Sequence, residues 1–216
     1  MKENIFVKKL VCLLAYFCFF ERQFTTQLIM LTVQFDSFPV LETNRLRLRF
    51  ITEADAEGLF ALRTNDAVMQ YIGRPKPQNL EEVKSMIEKI KTDFKDSVGI
   101  SWVMAHKESD ALIGTIGFWR MDKQNHRAEI GYMLHSDYWG KGIATEAMQA
   151  VLPYGFDVLK FHSIEANVDP LNEVSKKLLL KFGFVQEAYF RENYYFDGQF
   201  LDSAIFCLLQ HEYKKI

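Results

Sequence analysis

Between Leu134 and Glu146 the chain reads Leu-His-Ser-Asp-Tyr-Trp-Gly-Lys-Gly-Ile-Ala-Thr-Glu, and this stretch holds the residue types best suited to chemistry. A strand pattern ends near His135, and a helical pattern opens after Gly142. The first turn of a helix leaves main-chain N–H groups unpaired, and the helix dipole adds partial positive charge at the same end. Such an end binds anions, phosphates above all. Every residue from Gly140 to Ala144 is small or can present its backbone, and the missing side chains at Gly140 and Gly142 let a pyrophosphate come close. Trp139, Gly140, Lys141, Gly142, Ile143, Ala144 and Thr145 are therefore the candidate phosphate-binding residues. A P-loop needs GxxxxGK followed by Ser or Thr, which is not supplied, and a dinucleotide fingerprint needs glycine where Thr145 stands. The plainer alternative is a tight loop of two glycines before an amphipathic helix.

The elements that must position this loop follow from periodicity. Residues 41–50 alternate Leu46, Leu48 and Phe50 against Arg45, Arg47 and Arg49, the period of a half-buried strand. Thr52-Glu-Ala-Asp55 is a variant of the capping box and predicts a helix to about Arg63. Leu80, Val83, Met86, Ile87, Ile90 and Phe94 share one face of a second helix that starts near Asn79. Strands are expected at 100–106 and 111–120, joined by a polar turn, and at 128–135. A helix over 142–159, a strand over 163–168 and a helix over 171–182 follow, the last closed by Gly183. Asp197-Gly198 marks a hairpin between 184–196 and 199–209. The order β-α-α-β-β-β-α-β-α-β-β predicts a mixed sheet in an α/β fold, with both hairpin and crossover connections.

Composition bounds the rest. The chain has 216 residues, 49% of them apolar and 25% charged, and a net charge of −2. These values fit one globular domain plus an extension. No basic run offers a nucleic-acid footprint. Cys12, Cys18 and Cys207 form no paired spacing, and His135 and His162 lack metal-ligand spacing, so no metal is expected. An odd count of unpaired cysteines fits the reducing cytoplasm. Leu10 to Phe20 resembles a signal-peptide core, but no cleavage site follows it and it is too short to span a bilayer. Met30 reads as a natural start. Residues 1–29 are accordingly read as a non-native or poorly ordered N-terminal extension, with a membrane or partner-binding segment as the alternative, and residues 30–216 as one domain.

The run Trp139-Gly-Lys-Gly-Ile-Ala144 resembles the acetyl-CoA motif of the GNAT acyltransferases, Gln/Arg-x-x-Gly-x-Gly/Ala, with Trp139 in place of the usual Gln or Arg. The opening Leu41-Glu-Thr-Asn-Arg-Leu-Arg-Leu-Arg49 looks like the first strand of the ribosomal-protein (Rim-type) N-acetyltransferase branch. Ile164 to Ser175 (Ile-Glu-Ala-Asn167-Val-Asp-Pro-Leu-Asn172-Glu-Val-Ser) looks like a later strand and helix of that branch, and Lys181-Phe-Gly-Phe184 like the exit from that helix. The resemblance covers about residues 38–213. It implies a twisted mixed sheet of about seven strands with about four flanking helices, whose strands near 128–135 and 163–168 part to admit acetyl-CoA.

Transfer from a thioester to an amine needs a neutral amine, a polarised carbonyl and help for the leaving thiolate. Glu129 is one candidate base; its plainer reading is a strand carboxylate paired with Arg120 or Arg127. Glu192 is the rival base, because the resemblance sets its strand beside the acceptor pocket. The resemblance also gives Asn167 and Asn172 to CoA, Asn172 through a pantetheine amide, and Ser175 to the leaving sulfur. Helix capping is the alternative for Asn172. A main-chain N–H near Met133 or Leu134 is expected to hold the thioester oxygen. The expected activity is acetyl-CoA-dependent N-acetylation of a primary amine by direct transfer, the acceptor being a protein N-terminus or a small amine. A non-catalytic acyl-CoA-binding module is the alternative. No membrane partner is expected, and the resemblance permits a monomer or a homodimer.

Overall fold

Leu46 and Leu48 are fully buried while Arg45 and Arg47 face outward, as the alternation predicts, but the segment makes two strands rather than one. The computed structural model describes residues 31, 33, 35 and 37–215, and the expected extension over 1–29, with Cys12 and Cys18, lies outside the described residues. Strand β1 (Leu41–Glu42) folds back antiparallel on β2 (Leu46–Arg49), pairing Leu41 with Leu48. The turn between them is gathered by a distant carboxylate. Glu146 accepts from the Thr43 hydroxyl at 2.5 Å, the Arg45 N–H at 2.7 Å and Arg45 Nε at 2.6 Å.

Asp55 accepts from the Thr52 N–H and hydroxyl, then the chain enters α1 (Ala56–Thr64) and the short α2 (Asp66–Met69). The same carboxylate receives both terminal nitrogens of Arg49 at 2.8 and 2.9 Å. Burial alone pushes the Asp55 carboxyl up, but the Arg49 guanidinium and the Thr52 donors outweigh it and hold it below its ordinary range. Helix α3 (Leu80–Lys95) starts on Asn79, whose side chain accepts from the Glu82 N–H.

Strands β3 (Ile100–His106), β4 (Leu112–Asp122) and β5 (Arg127–Leu134) form an antiparallel meander. Helix α4 (Ile143–Pro153) is shorter than the expected 142–159. Past Pro153, which has no N–H to donate, the register widens to a π-turn over Tyr154–Val158, closed by Leu159 N–H on the Tyr154 carbonyl at 2.9 Å. Strand β6 (Ser163–Val168), α5 (Glu173–Lys181) and the hairpin β7 (Val185–Phe196) and β8 (Gln199–Leu209) complete the fold. Among the described residues the sheet has eight strands in the order β1-β2-β3-β4-β5-β6-β8-β7, one more than expected because of the split at Thr43.

Helices cover both faces of the sheet. Leu59, Leu62, Val83 and Ile87 of α1 and α3 pack with Val103 and Ala105 on one face. Met148 and Leu152 of α4 and Leu179 of α5 pack with Trp102, Phe118 and Ile130 on the other. The described residues belong to one compact unit.

Candidate active site

The only parallel pair among the described residues, β5 with β6, is joined at Arg127–Ser163, Ala128–Ile164 and Glu129–Glu165, and the pairing stops there. Beyond this point β5 keeps its partner β4 as far as Leu134, and β6 keeps β8 as far as Val168. The two strands part, with an ion pair between Arg127 and Glu165 at the closed end.

Alternation decides which groups meet the gap. The His135 N–H bonds the Ile113 carbonyl at 2.8 Å, and in an antiparallel ladder such bonded pairs recur at every second residue. Met133 therefore turns its N–H toward β4, whereas Tyr132 and Leu134 turn their main-chain groups toward the gap. The Leu134 carbonyl is already engaged by the Trp139 indole N–H at 2.8 Å, which leaves the Leu134 N–H as the donor at the end of β5. Side chains alternate across the sheet as well. Glu129 and Met133 share the face of α1 and α3, and Tyr132 lies on the face of α4 and α5.

After β5, a single turn of 3-10 helix over Ser136–Tyr138 leads to the glycine loop. Gly140 and Gly142 have φ of 70° and 74°. A Cβ at Gly140 would meet nothing within 4 Å, and one at Gly142 would lie 3.6 Å from Arg45 Nη2, so glycine is required here by backbone conformation and not by crowding. A left-handed residue with a side chain costs about 1–2 kcal/mol. Gly142 is the N-cap of α4 and opens the free amides of Ile143, Ala144 and Thr145. Arg45 donates to the Lys141 carbonyl at 2.8 Å and brings a guanidinium beside this turn. Free amides, a dipole end and the Lys141 cation fit a diphosphate, and Arg45, itself paired with Glu146, fixes the turn. Arg45 was not among the residues read as candidates, because its approach depends on the fold of β1 and β2.

Glu129, Met133, Asn167, Asn172 and Ser175 line one cavity of about 900 Å³. Leu134 and residues 139–145 do not, and Glu192 borders an adjoining depression that shares Asn193 and Asp202 with the cavity. Glu129 is paired with Arg120 at 2.7 Å and keeps its place in the cavity wall. Glu192 sits in the bulge of β7, exposed, with φ of 50° and its N–H on Asp202 at 2.8 Å. Asn172 caps α5 by accepting from the Ser175 N–H at 3.0 Å, which leaves its side-chain NH2 as a donor beside the cavity.

Ser175 Oγ and Tyr132 Oη are 2.7 Å apart. Burial pushes the Tyr132 hydroxyl up to about 12, against the opposing bond from Ser175. The Tyr132 partner is absent from the sequence reading because it joins residues on two elements that only packing brings together. Asp202 was likewise missed; it lines the same cavity from β8, and a bond from the Tyr189 hydroxyl holds its carboxyl below the ordinary range. Roofing is supplied by Tyr194, whose hydroxyl donates to the Gly73 carbonyl. Trp119, also in the wall, has an indole N–H buried without a partner among the described residues. No group of His, Cys, Asp and Glu among the described residues is arranged to hold a metal ion.

A mixed sheet opened between two parallel strands, with a glycine turn at one lip and a cavity at the other, defines an acyltransferase of the GNAT type. The chain belongs to the GNAT family of N-acetyltransferases: residues 45–185 match the acetyltransferase (GNAT) domain. It is 39% identical over 173 residues to the uncharacterized N-acetyltransferase YoaA of Bacillus subtilis, covering 80% of this chain and 98% of that protein. It is 26% identical over 168 residues to the spermidine N(1)-acetyltransferase of Escherichia coli K12, covering 78% and 88%. The structure of Mycobacterium smegmatis RimJ with CoA-disulfide superposes with a TM-score of 0.73 at 21% identity, over 81% and 88% of the two chains, a likeness of fold.

Proposed function

We propose that this chain transfers an acetyl group directly from acetyl-CoA to a primary amine, both held at once across the gap between β5 and β6. The observation that carries this reading is the parting of those strands immediately before the left-handed glycine turn of α4. The amides of 143–145, with Lys141, hold the diphosphate, and Arg45 fixes the turn. Asn167 and Asn172 border the pantetheine path, and Trp139 anchors the turn through the Leu134 carbonyl.

Acetyl-CoA supplies the activated acyl group, and the protein supplies position and proton transfer. The Leu134 N–H is the donor placed to hold the thioester oxygen as it gains charge; the alternation above disfavours Met133 for this role. Glu129 accepts the amine's proton, directly or through a water, as the C–N bond forms. Ser175 gives a proton to sulfur as the C–S bond breaks and takes one from Tyr132, which regains a proton from solvent once the products leave. Glu129 is preferred to Glu192 because it faces the cavity. The acceptor is a protein N-terminal amine or a small amine, and the setting is the cytoplasm, where the buried thiol of Cys207 needs no partner.

Thiol release from acetyl-CoA, measured with peptides beginning Ser or Ala and with a set of small amines, tests the proposal. Release is expected with at least one class, and Glu129→Gln should lower it by about 10²-fold. Binding of acetyl-CoA without release across the whole panel, unchanged by Glu129→Gln and Ser175→Ala, would instead identify a non-catalytic acyl-CoA-binding module.

A further inference from the structure

Arg63, in the last turn of α1, lines the cavity on the face of the sheet that carries Glu129. Its hydrogen bond there runs from Nη1 to the Met133 sulfur at 3.6 Å, a weak and uncharged acceptor. Among the described residues no carboxylate pairs with it. Arg74, from the loop after α2, lines the same cavity and lies close enough to press on Arg63. Burial first, and then this like charge, push the Arg63 guanidinium below its ordinary pKa.

Other cations of the wall are answered, Lys89 by Asp93 at 3.0 Å and Arg120 by Glu129 at 2.7 Å. A partly buried cation without a counter-ion is costly, and beside a second cation it is relieved when an anion arrives. CoA's phosphates do not answer this charge, because the glycine turn belongs to α4 on the opposite face.

We propose that the acceptor amine carries a carboxylate, which Arg63 and Arg74 bind while the amine lies toward Glu129. Met133, the contact of Arg63, lies four residues beyond Glu129 on one face of β5, roughly 13 Å at about 3.3 Å per residue. That spacing suits an amine and a carboxylate separated by several bonds, as in an ω-amino carboxylate or a peptide with an acidic side chain near its N-terminus. A polyamine offers no such anion. The inference rests on the acetyltransferase reading and names its substrate class.

The experiment uses acceptor pairs that differ only at the acid: ω-amino carboxylates against their carboxamides, and C-terminally amidated Ala-Asp peptides against Ala-Asn peptides. Thiol release gives kcat/KM for each, and calorimetry in the presence of CoA gives acceptor affinity without turnover. Wild type should prefer the acid by roughly tenfold or more, the scale of one hydrogen bond to a charged group. Arg63→Gln should bring the ratio close to one, and Arg74→Gln should reduce it. Each ratio is taken within one variant, so a smaller folded fraction does not imitate the effect.

Equal use of acid and amide by wild type, or a polyamine preferred to every acid, overturns the proposal and leaves the acetyltransferase reading standing. If no acceptor releases thiol, that reading falls and calorimetry decides the carboxylate site alone. Acid-selective binding lost in Arg63→Gln then supports it, and unselective binding overturns it. A preference confined to the free ω-amino carboxylates, or to the peptides, identifies which source of the carboxylate the cavity accepts.

Discussion

Ser175, which the resemblance gives to the leaving sulfur, stands on the first turn of α5 with its Oγ 2.7 Å from Tyr132 Oη. A serine that gives its proton to a departing thiolate must be reprotonated, and a tyrosine pushed up to about 12 is protonated at neutral pH and has a proton to pass on. Ser175→Ala is therefore expected to lower kcat by about 10²-fold, while calorimetric affinity for acetyl-CoA changes little. Tyr132→Phe should lower kcat by roughly tenfold, the scale of one lost hydrogen bond to a group gaining charge. Because Tyr132 stays neutral far into alkali, that loss should be constant from neutral to mildly alkaline pH. Full activity in Tyr132→Phe would show that Ser175 draws its proton from solvent. The spacing of Asn172 and Ser175 was legible in the sequence, since both lie within one helical turn. Tyr132 was legible only as an aromatic residue that could shape the pocket; its bond to Ser175 was not, because the two stand 43 residues apart across a strand and a helix.

Elements whose ends are set by local chemistry were the ones that could be read in advance. Gly183 closes α5 with φ of 87°, its N–H on the Leu180 carbonyl and the Phe184 N–H on the Leu179 carbonyl, the paired bonds of a Schellman end. Asp197 and Gly198, at φ of 48° and 79°, make the hairpin turn that their types imply. What had no local signature was set by distant partners: the turn at Thr43, which escaped, depends on Glu146, 103 residues away, and the parting of β5 from β6 followed only from the resemblance of the wider pattern. Gly183 offers a clean test of this distinction. A Cβ there would meet Leu208 Cδ1 at 3.7 Å, an ordinary contact, so the cost of Gly183→Ala is conformational. Urea unfolding should show a loss of about 1–2 kcal/mol, with thiol release per folded molecule unchanged. A much larger loss, or a fall in specific activity, would mean that the exit from α5 also holds Ser175 in place.

Across the whole molecule the weak seam and the proposed binding site are the same place. The sheet is continuous through β1 to β5 and again through β6, β8 and β7, but the two parts are joined along their backbones by the few pairs from Arg127 to Glu129. The glycine turn and α4 follow β5, whereas Asn172, Ser175 and α5 follow β6. Acetyl-CoA lying in the gap would touch both parts and replace, with its own amides, ladder partners that the strands have lost. A ligand that binds only the folded state stabilises it by mass action, by about 2.7 kcal/mol at 100 times its Kd. Thermal melts should therefore move upward with acetyl-CoA concentration, and amide exchange should slow at residues 130–134 and 166–168 more than in β3. Gly142→Ala, which strains the turn without altering the seam, should weaken the concentration dependence while leaving the ligand-free exchange pattern of those strands unchanged. Melts that ignore acetyl-CoA would remove the basis for placing the thioester between β5 and β6.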